Sequence, residues 1–171
     1  WLCQLRNGQR RNLRNAARLH SLADINIWNN TRDGLPHPYT EEDAENFIKM
    51  NMEHEGPAEN FAIDIDGKAV GGVGFVMGSD VERISAEIGY WLGEQYWGRG
   101  IMTSAVQEAV KYAFETLPVM RIYAGVFEYN IPSMKVLEKA GFKKEAILRK
   151  AVIKNGKILD FHYYALLKEE E

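Results

Sequence analysis

The residues whose types and spacing could do chemistry lie between Glu87 and Thr103, in the run Glu87-Ile-Gly-Tyr-Trp-Leu-Gly-Glu-Gln-Tyr-Trp-Gly-Arg-Gly-Ile-Met-Thr103. Up to Leu92 the run reads as an apolar strand. Gly98 and Gly100 mark a tight turn, and an amphipathic helix starts immediately after it. That order gathers the free N–H groups of a first helical turn, and the positive end of the helix dipole, at one spot. Such a spot suits phosphate. A dinucleotide fingerprint would place a third glycine where Thr103 stands, and a ribose-binding acid roughly 20 residues on. Neither is present, nor is the Gly-Lys-Ser/Thr of a P-loop. The motif alone says pyrophosphate at a helix start; a plain strand-to-helix turn is the alternative.

The elements around it must position that turn. Residues 100–116 give the clearest helix, with Ile101, Ala105, Val106, Ala109, Val110, Ala113 and Phe114 on one face and Pro118 ending it. Strands are expected over Phe61–Asp66, Lys68–Met77, Ile84–Leu92 and Val119–Phe127. Asp66-Gly67 reads as a two-residue hairpin turn, and Asn155-Gly156 as another, joining Ala146–Lys154 to Lys157–Leu167. Gly71, Gly72 and Gly74 suggest a bulge or a close backbone approach. Thr40 is an N-cap for a helix reaching about His54, whose apolar face would be Ala44, Phe47, Ile48 and Met52, with Glu41, Glu42 and Asp43 in the first turn. A helix from Pro132 to Lys139 is entered at Asn130 and closed by Gly141. The helix after residue 100 lies between two strands, so it reads as a right-handed crossover joining parallel strands. A further helix is expected over residues 10–22, where Arg10, Arg11, Arg14 and Arg18 form either a solvated face, a lip over an anionic ligand or a nucleic-acid stripe.

Composition narrows the classes. The 171 residues suffice for one domain with a sizeable core. They are 46% hydrophobic and 26% charged, with a formal charge of −3 that argues against nucleic acid and anionic membrane as partners. No apolar run approaches the roughly 20 residues of a membrane span. Cys3 is the single cysteine, which excludes an intrachain disulfide and a multi-cysteine metal site and favours a cytoplasmic location. The chain begins at Trp1 rather than Met, and no signal peptide is read in it.

Two later pieces, Asn130-Ile-Pro-Ser133 and Ala140-Gly-Phe142, complete a combination with the glycine turn. It resembles the GNAT superfamily of acetyl-CoA-dependent N-acetyltransferases, and within it the branch holding the ribosomal-protein N-terminal (alanine/serine) acetyltransferases. The resemblance covers nearly the whole chain and is most specific from Glu87 to Phe142. It implies a single α/β (α+β) domain over residues 1–171, with a mixed central sheet of about six to seven strands flanked by about four helices. The family's motif is Gln/Arg-x-x-Gly-x-Gly/Ala. Gln95-Tyr-Trp-Gly-Arg-Gly100 fits it literally. The strand end and helix start align better with Trp97 in the first place, Gly100 as central glycine and Met102 as the last small residue, so two positions depart from the pattern.

By this resemblance Gly98, Arg99, Gly100, Ile101, Met102 and Thr103 would cradle the pyrophosphate of acetyl-CoA through main-chain N–H groups. Tyr90, Trp91 and Leu92 would pair, strand-like, with the pantetheine arm, and Asn130 would also contact the cofactor. No metal is implied. A primary amine would attack the thioester in a ternary complex, without an acetyl-enzyme, since Cys3 is far in sequence from every motif. A backbone N–H near Leu92 would stabilise the developing oxyanion, a donor worth roughly 3–4 kcal/mol where measured. Glu87 is the candidate base, directly or through water, against a merely solvent-facing carboxylate. The superfamily's usual tyrosine, seven residues after the asparagine, is Leu137 here; Ser133 is the available hydroxyl for the departing thiolate, unless it only caps its helix. His37, Asp160 and Tyr164 are weaker candidates for the acceptor side, while Trp28, Trp91 and Trp97 are expected to pack. A homodimer is left open. Leu137 and Met102 keep alive an acyl-CoA-binding regulatory module without catalysis, and the N-terminal arginines an RNA- or ribosome-associated binding protein.

Overall fold

A computed structural model describes residues 4–7 and 24–169, so Cys3 and the helix expected over residues 10–22, with its arginines, lie outside the described residues. The elements in chain order are β1 (Gln4–Asn7), α1 (Ile25–Trp28), α2 (Glu41–Glu53), β2 (Asn60–Ile65), β3 (Lys68–Met77), β4 (Ser85–Leu92), α3 (Ile101–Thr116), β5 (Arg121–Phe127), α4 (Ile131–Lys139), β6 (Lys143–Lys154) and β7 (Lys157–Leu167). Seven strands form one mixed sheet in the order β1-β2-β3-β4-β5-β7-β6.

Two turns fix the register of the hairpins. Asp66 and Gly67 have φ of 51° and 81°, and Asn155 and Gly156 have 50° and 74°. Positive φ at both central residues is the turn whose twist matches that of the strands it joins. The expected bulge is in β3: Ile63 pairs with Gly71 but Asp64 with Ala69, leaving Val70 as the extra residue. The close approach is there too, since a Cβ on Gly71 would come within 2.6 Å of the Trp91 carbonyl oxygen.

β4 and β5 are the one parallel pair, as the helical crossover through α3 requires. Their pairing is short: only Ser85–Glu87 against Arg121–Tyr123. Beyond Glu87 the two strands part. β4 keeps β3 on one edge from Ala86 to Leu92, whereas β5 keeps β7 along all seven of its residues. The sheet therefore opens as a wedge between β4 and β5.

The core fills one side of that sheet. Met102, Ala105, Val106, Ala109, Val110 and Ala113 of α3 are buried against Ala86, Ile88, Leu92, Ile122 and Ala124. Alanine at the inner positions lets the helix lie close to the strands. α4 adds Met134 and Leu137, and ends as expected: Gly141 has φ of 95°, with the Phe142 N–H on the Leu137 carbonyl at 3.0 Å. α2 departs from expectation. Thr40 and Asp43 do form a reciprocal cap, yet of the anticipated apolar face only Ala44 is buried; Phe47 is 46% and Met52 44% exposed. Phe47 and Ile48 border an open cavity rather than the core. α1 was not anticipated at all.

Candidate active site

The turn after β4 is built from backbone. A single 3-10 turn over Glu94–Tyr96 leads to Trp97, whose indole N–H donates to the Leu92 carbonyl at 2.7 Å and ties the loop back to its strand. Gly98 and Gly100 both lie in the left-handed region, with φ of 72° and 75°, and a Cβ on either would meet nothing within 4 Å. They are glycines for the backbone's path, and they leave open space above it. Gly100 is the N-cap of α3, and no side chain caps that helix. Its first-turn N–H groups thus face outward without intrahelical partners. These features fit an anionic group such as a pyrophosphate. Arg99 stacks its guanidinium 5.7 Å from the Tyr96 ring centroid. Met102, the departure from a small residue, is buried in the core, so it does not intrude on the turn.

Inside the wedge lies a cavity of about 700 Å³. Glu87, Tyr90, Trp91, Asn130 and Ser133 all line it. The sequence reading thus named five residues, 46 positions apart at the extremes, that the fold brings to one cavity. It also named residues that lie elsewhere. Gly98–Thr103 border the outer turn and not this cavity, and Leu92 points its side chain into the core.

Glu87 is on the side of β4 opposite Ala86 and Ile88, with 22% of its side chain exposed. Its carboxylate is paired with the guanidinium of Arg32, which also lies 5.6 Å from the Phe161 ring centroid. Arg32, with a side chain 61% exposed, comes from the loop after α1 and lines the same cavity. Glu87 is therefore neither free nor simply solvent-facing. Its charge also raises the pKa of Tyr123, its partner across the parallel pair, after the larger effect of burial.

On the other wall Asn130 caps α4, its side-chain oxygen accepting from the Ser133 N–H at 3.2 Å. Ser133 is thus not the cap, and its hydroxyl is spent elsewhere: it lies 2.8 Å from the phenol oxygen of Tyr90. Burial pushes the Tyr90 phenol up to about 12, against the opposing effect of the Ser133 hydrogen bond, so it is protonated throughout the neutral range.

The weaker acceptor candidates fall away. His37 stacks on Trp28, with centroids 5.1 Å apart, and Tyr164 is fully buried with its hydroxyl 3.1 Å from Glu138 Oε1. Asp160 accepts from the Lys150 backbone N–H at 2.8 Å, holding the irregular stretch of β6. Their strand or loop positions are as read, but their side chains are committed to packing and to hydrogen bonds elsewhere.

The remaining wall of the cavity carried little sequence signal. It is lined by Asn30, Arg32, Leu35, Tyr39, Phe47 and Asn51, among others, from the 30–39 loop and α2. That loop is held from the far end of the fold. Lys154, at the tip of the β6–β7 hairpin, is 3% exposed, with its ammonium 2.6 Å from Asp33 and 3.6 Å from the Trp28 ring centroid. Trp28 in turn donates to the Leu35 carbonyl at 3.1 Å. A buried lysine beside an Asn-Gly turn has no sequence signature; the pairing spans 121 positions.

Comparison with known proteins fits this geometry. The family model for the acetyltransferase (GNAT) domain matches residues 10–143, and the chain belongs to that family. It is an acetyl-CoA-dependent N-acetyltransferase. An uncharacterized N-acetyltransferase, p20, of Bacillus licheniformis is 38% identical over 138 residues, covering 78% of this chain and 77% of its own. The ribosomal-protein-serine acetyltransferase of Escherichia coli is 27% identical over 134 residues, 77% of this chain and 74% of its own. A GNAT-family acetyltransferase structure from Bacillus anthracis superimposes with a TM-score of 0.79 at 27% identity, covering 99% and 98% of the two chains. Among the described residues no group of three or more His, Cys, Asp or Glu is arranged to hold a metal, and no helix is long and apolar enough to cross a membrane.

Proposed function

We propose that the chain transfers the acetyl group of acetyl-CoA to a primary amine, on a protein N-terminus or a small molecule, by direct attack in a ternary complex. The observation that carries this reading is that a candidate base, Glu87, and a candidate hydroxyl, Ser133, line one cavity in the wedge between β4 and β5. The edge of β4 from Ile88 to Leu92 that β5 leaves unpaired, with Tyr90 and Trp91 between, offers main-chain partners to an extended pantetheine arm, the Leu92 carbonyl already held by Trp97 excepted. The uncapped start of α3, from Gly98 through Arg99, Gly100, Ile101 and Met102 to Thr103, offers N–H groups to the pyrophosphate, and Asn130 flanks the arm from the facing wall. Acetyl-CoA, when bound, supplies the activated acyl group.

Glu87 takes the proton that an incoming ammonium must lose before it can attack. Arg32 pairs with that carboxylate until the amine arrives, and its exposed side chain is free to yield the place. A backbone N–H near Leu92 would bond the oxyanion as the carbonyl is attacked. Ser133 donates a hydrogen bond to the thiolate as it leaves. The wedge holds both reactants in line, which converts a two-body encounter into a one-body step.

The test is acetyl transfer from acetyl-CoA across a panel of amines and N-terminal peptides, alongside calorimetry with CoA. CoA binding with turnover on at least one amine is expected. CoA binding without turnover on any amine would leave a regulatory binding module instead, and no CoA binding by the pure protein would overturn the reading altogether.

A further inference from the structure

We propose that Tyr90 is a positioning residue for the leaving group: its phenol holds the Ser133 hydroxyl so that the serine proton points into the cavity, toward the sulfur. The inference rests on the reading of Ser133 given above. Tyr90 sits near the C-terminal end of β4 and Ser133 in the first turn of α4, on the two walls of the wedge, 43 positions apart. The phenol oxygen is 2.8 Å from Ser133 Oγ and 3.3 Å from the Ser133 carbonyl oxygen. Both hydrogen-bond contacts of the phenol are to the same residue, so the hydroxyl clamps Ser133.

A serine hydroxyl has one proton and two lone pairs. The phenol stays protonated at neutral pH, as its raised pKa requires, and a buried phenol proton needs an acceptor. Two arrangements satisfy the pair. In one, Ser133 donates to Tyr90 and Tyr90 donates to the Ser133 carbonyl. In the other, Tyr90 donates to Ser133 Oγ, and the serine O–H is left to point into the cavity. The second becomes favourable when an acceptor appears there, and the departing thiolate is such an acceptor. The bond from Tyr90 also strengthens the serine as a donor, because chained hydroxyls polarise one another. Capping does not compete, since Asn130 already caps α4.

No proton leaves either hydroxyl. The nitrogen sheds two protons: the ammonium's first passes through Glu87 to solvent before attack, and the second goes to Glu87 as the C–N bond forms. The C–S electron pair goes to sulfur, and the thiolate leaves carrying a hydrogen bond from Ser133.

The test compares Tyr90→Phe, Ser133→Ala and the double variant. Losing one hydrogen bond to a charged group corresponds to roughly tenfold in rate. Ser133→Ala is expected to lower kcat by about tenfold and Tyr90→Phe by about fivefold, with the KM for acetyl-CoA within about twofold of the parent; the double variant should match Ser133→Ala alone. A second readout uses one preparation of each protein and two donors, acetyl-CoA and an acetyl thioester of an aromatic thiol. The aromatic thiolate leaves unaided, so the Tyr90→Phe deficit should nearly vanish with it. This ratio does not depend on how much of a preparation is folded. An unchanged deficit with both donors, a kcat for Tyr90→Phe equal to the parent's, or full additivity in the double variant would each overturn the role of Tyr90. If Ser133→Ala alone keeps full activity, it is the reading of Ser133 that fails.

Discussion

The two sides of the wedge are made of different materials. The side proposed for the donor is main chain: the edge of β4 that β5 leaves unpaired and the uncapped start of α3, contributed by residues 88–103 in one unbroken run. The side proposed for the acceptor is side chains: Arg32 and Tyr39 from a loop, Phe47 and Asn51 from α2, and Glu87 from β4. The first can bind the same ligand through many sequences, because N–H groups and glycine dihedrals do the work. The second changes with every substitution. A shared donor and divergent acceptors follow from that division of labour, with no need for a change of fold.

Four substitutions test how separate the two sides are. The largest effect is expected from Glu87→Gln, on the acceptor side. General-base losses run to about 10²–10⁴-fold, and a fall in kcat/KM for the amine near the lower end is expected at neutral pH. The deficit should narrow as pH rises, because more of the amine then arrives already deprotonated. A rate profile unchanged from acid to alkaline pH would remove Glu87 from the mechanism.

Gly100→Ala should act on the donor side alone. The added Cβ meets no atom, so only the left-handed φ of 75° opposes it, at about 1–2 kcal/mol. The KM for acetyl-CoA should rise by roughly tenfold while that for the amine holds. Movement of the amine KM instead would show that the sides are coupled through the turn.

The smallest effect concerns the strut. Asp33→Asn removes the charge opposite the buried Lys154 ammonium, leaving it an amide oxygen and the Trp28 face, and should lower stability by about 1–2 kcal/mol, discounted because Asp33 is itself largely exposed. Lys154→Met removes the buried charge instead, and its loss should be the lesser of the two in chemical denaturation. Both should raise the amine KM and spare that of acetyl-CoA. Equal movement of both constants would mean that the hairpin tip braces the whole domain rather than one loop.

What could be read in the sequence divides along the same line. β3 falls on Lys68–Met77 as expected, and α3 within one residue, because period-2 and period-3.6 patterns are local and the Asp66-Gly67 turn pins the register. The glycine turn was legible because its function needs particular dihedrals in a short run. Glu87, Asn130 and Ser133 were legible through a family pattern, but their partners were not. Nothing local marks Arg32 as the mate of Glu87, Tyr90 as the mate of Ser133, or Lys154 as a buried residue. Each pairing is closed by the tertiary fold over 43 to 121 positions. α2 misled for a related reason: its apolar stripe is amphipathic toward a cavity rather than toward the core, and periodicity cannot tell the two apart.

The short parallel seam has one more consequence. Three paired residues join two half-sheets that are otherwise antiparallel, β1 to β4 on one side and β5 to β7 on the other. An acyl donor lying in the wedge, as proposed, would touch both halves and lengthen the seam. Its binding would then be counted in the unfolding equilibrium. By mass action each tenfold rise in donor above its Kd adds about 1.4 kcal/mol against unfolding. The abundance of the cell's acyl donor would thus set the thermal lifetime of the protein as well as its turnover, and a protein short of substrate would be the one most exposed to proteolysis.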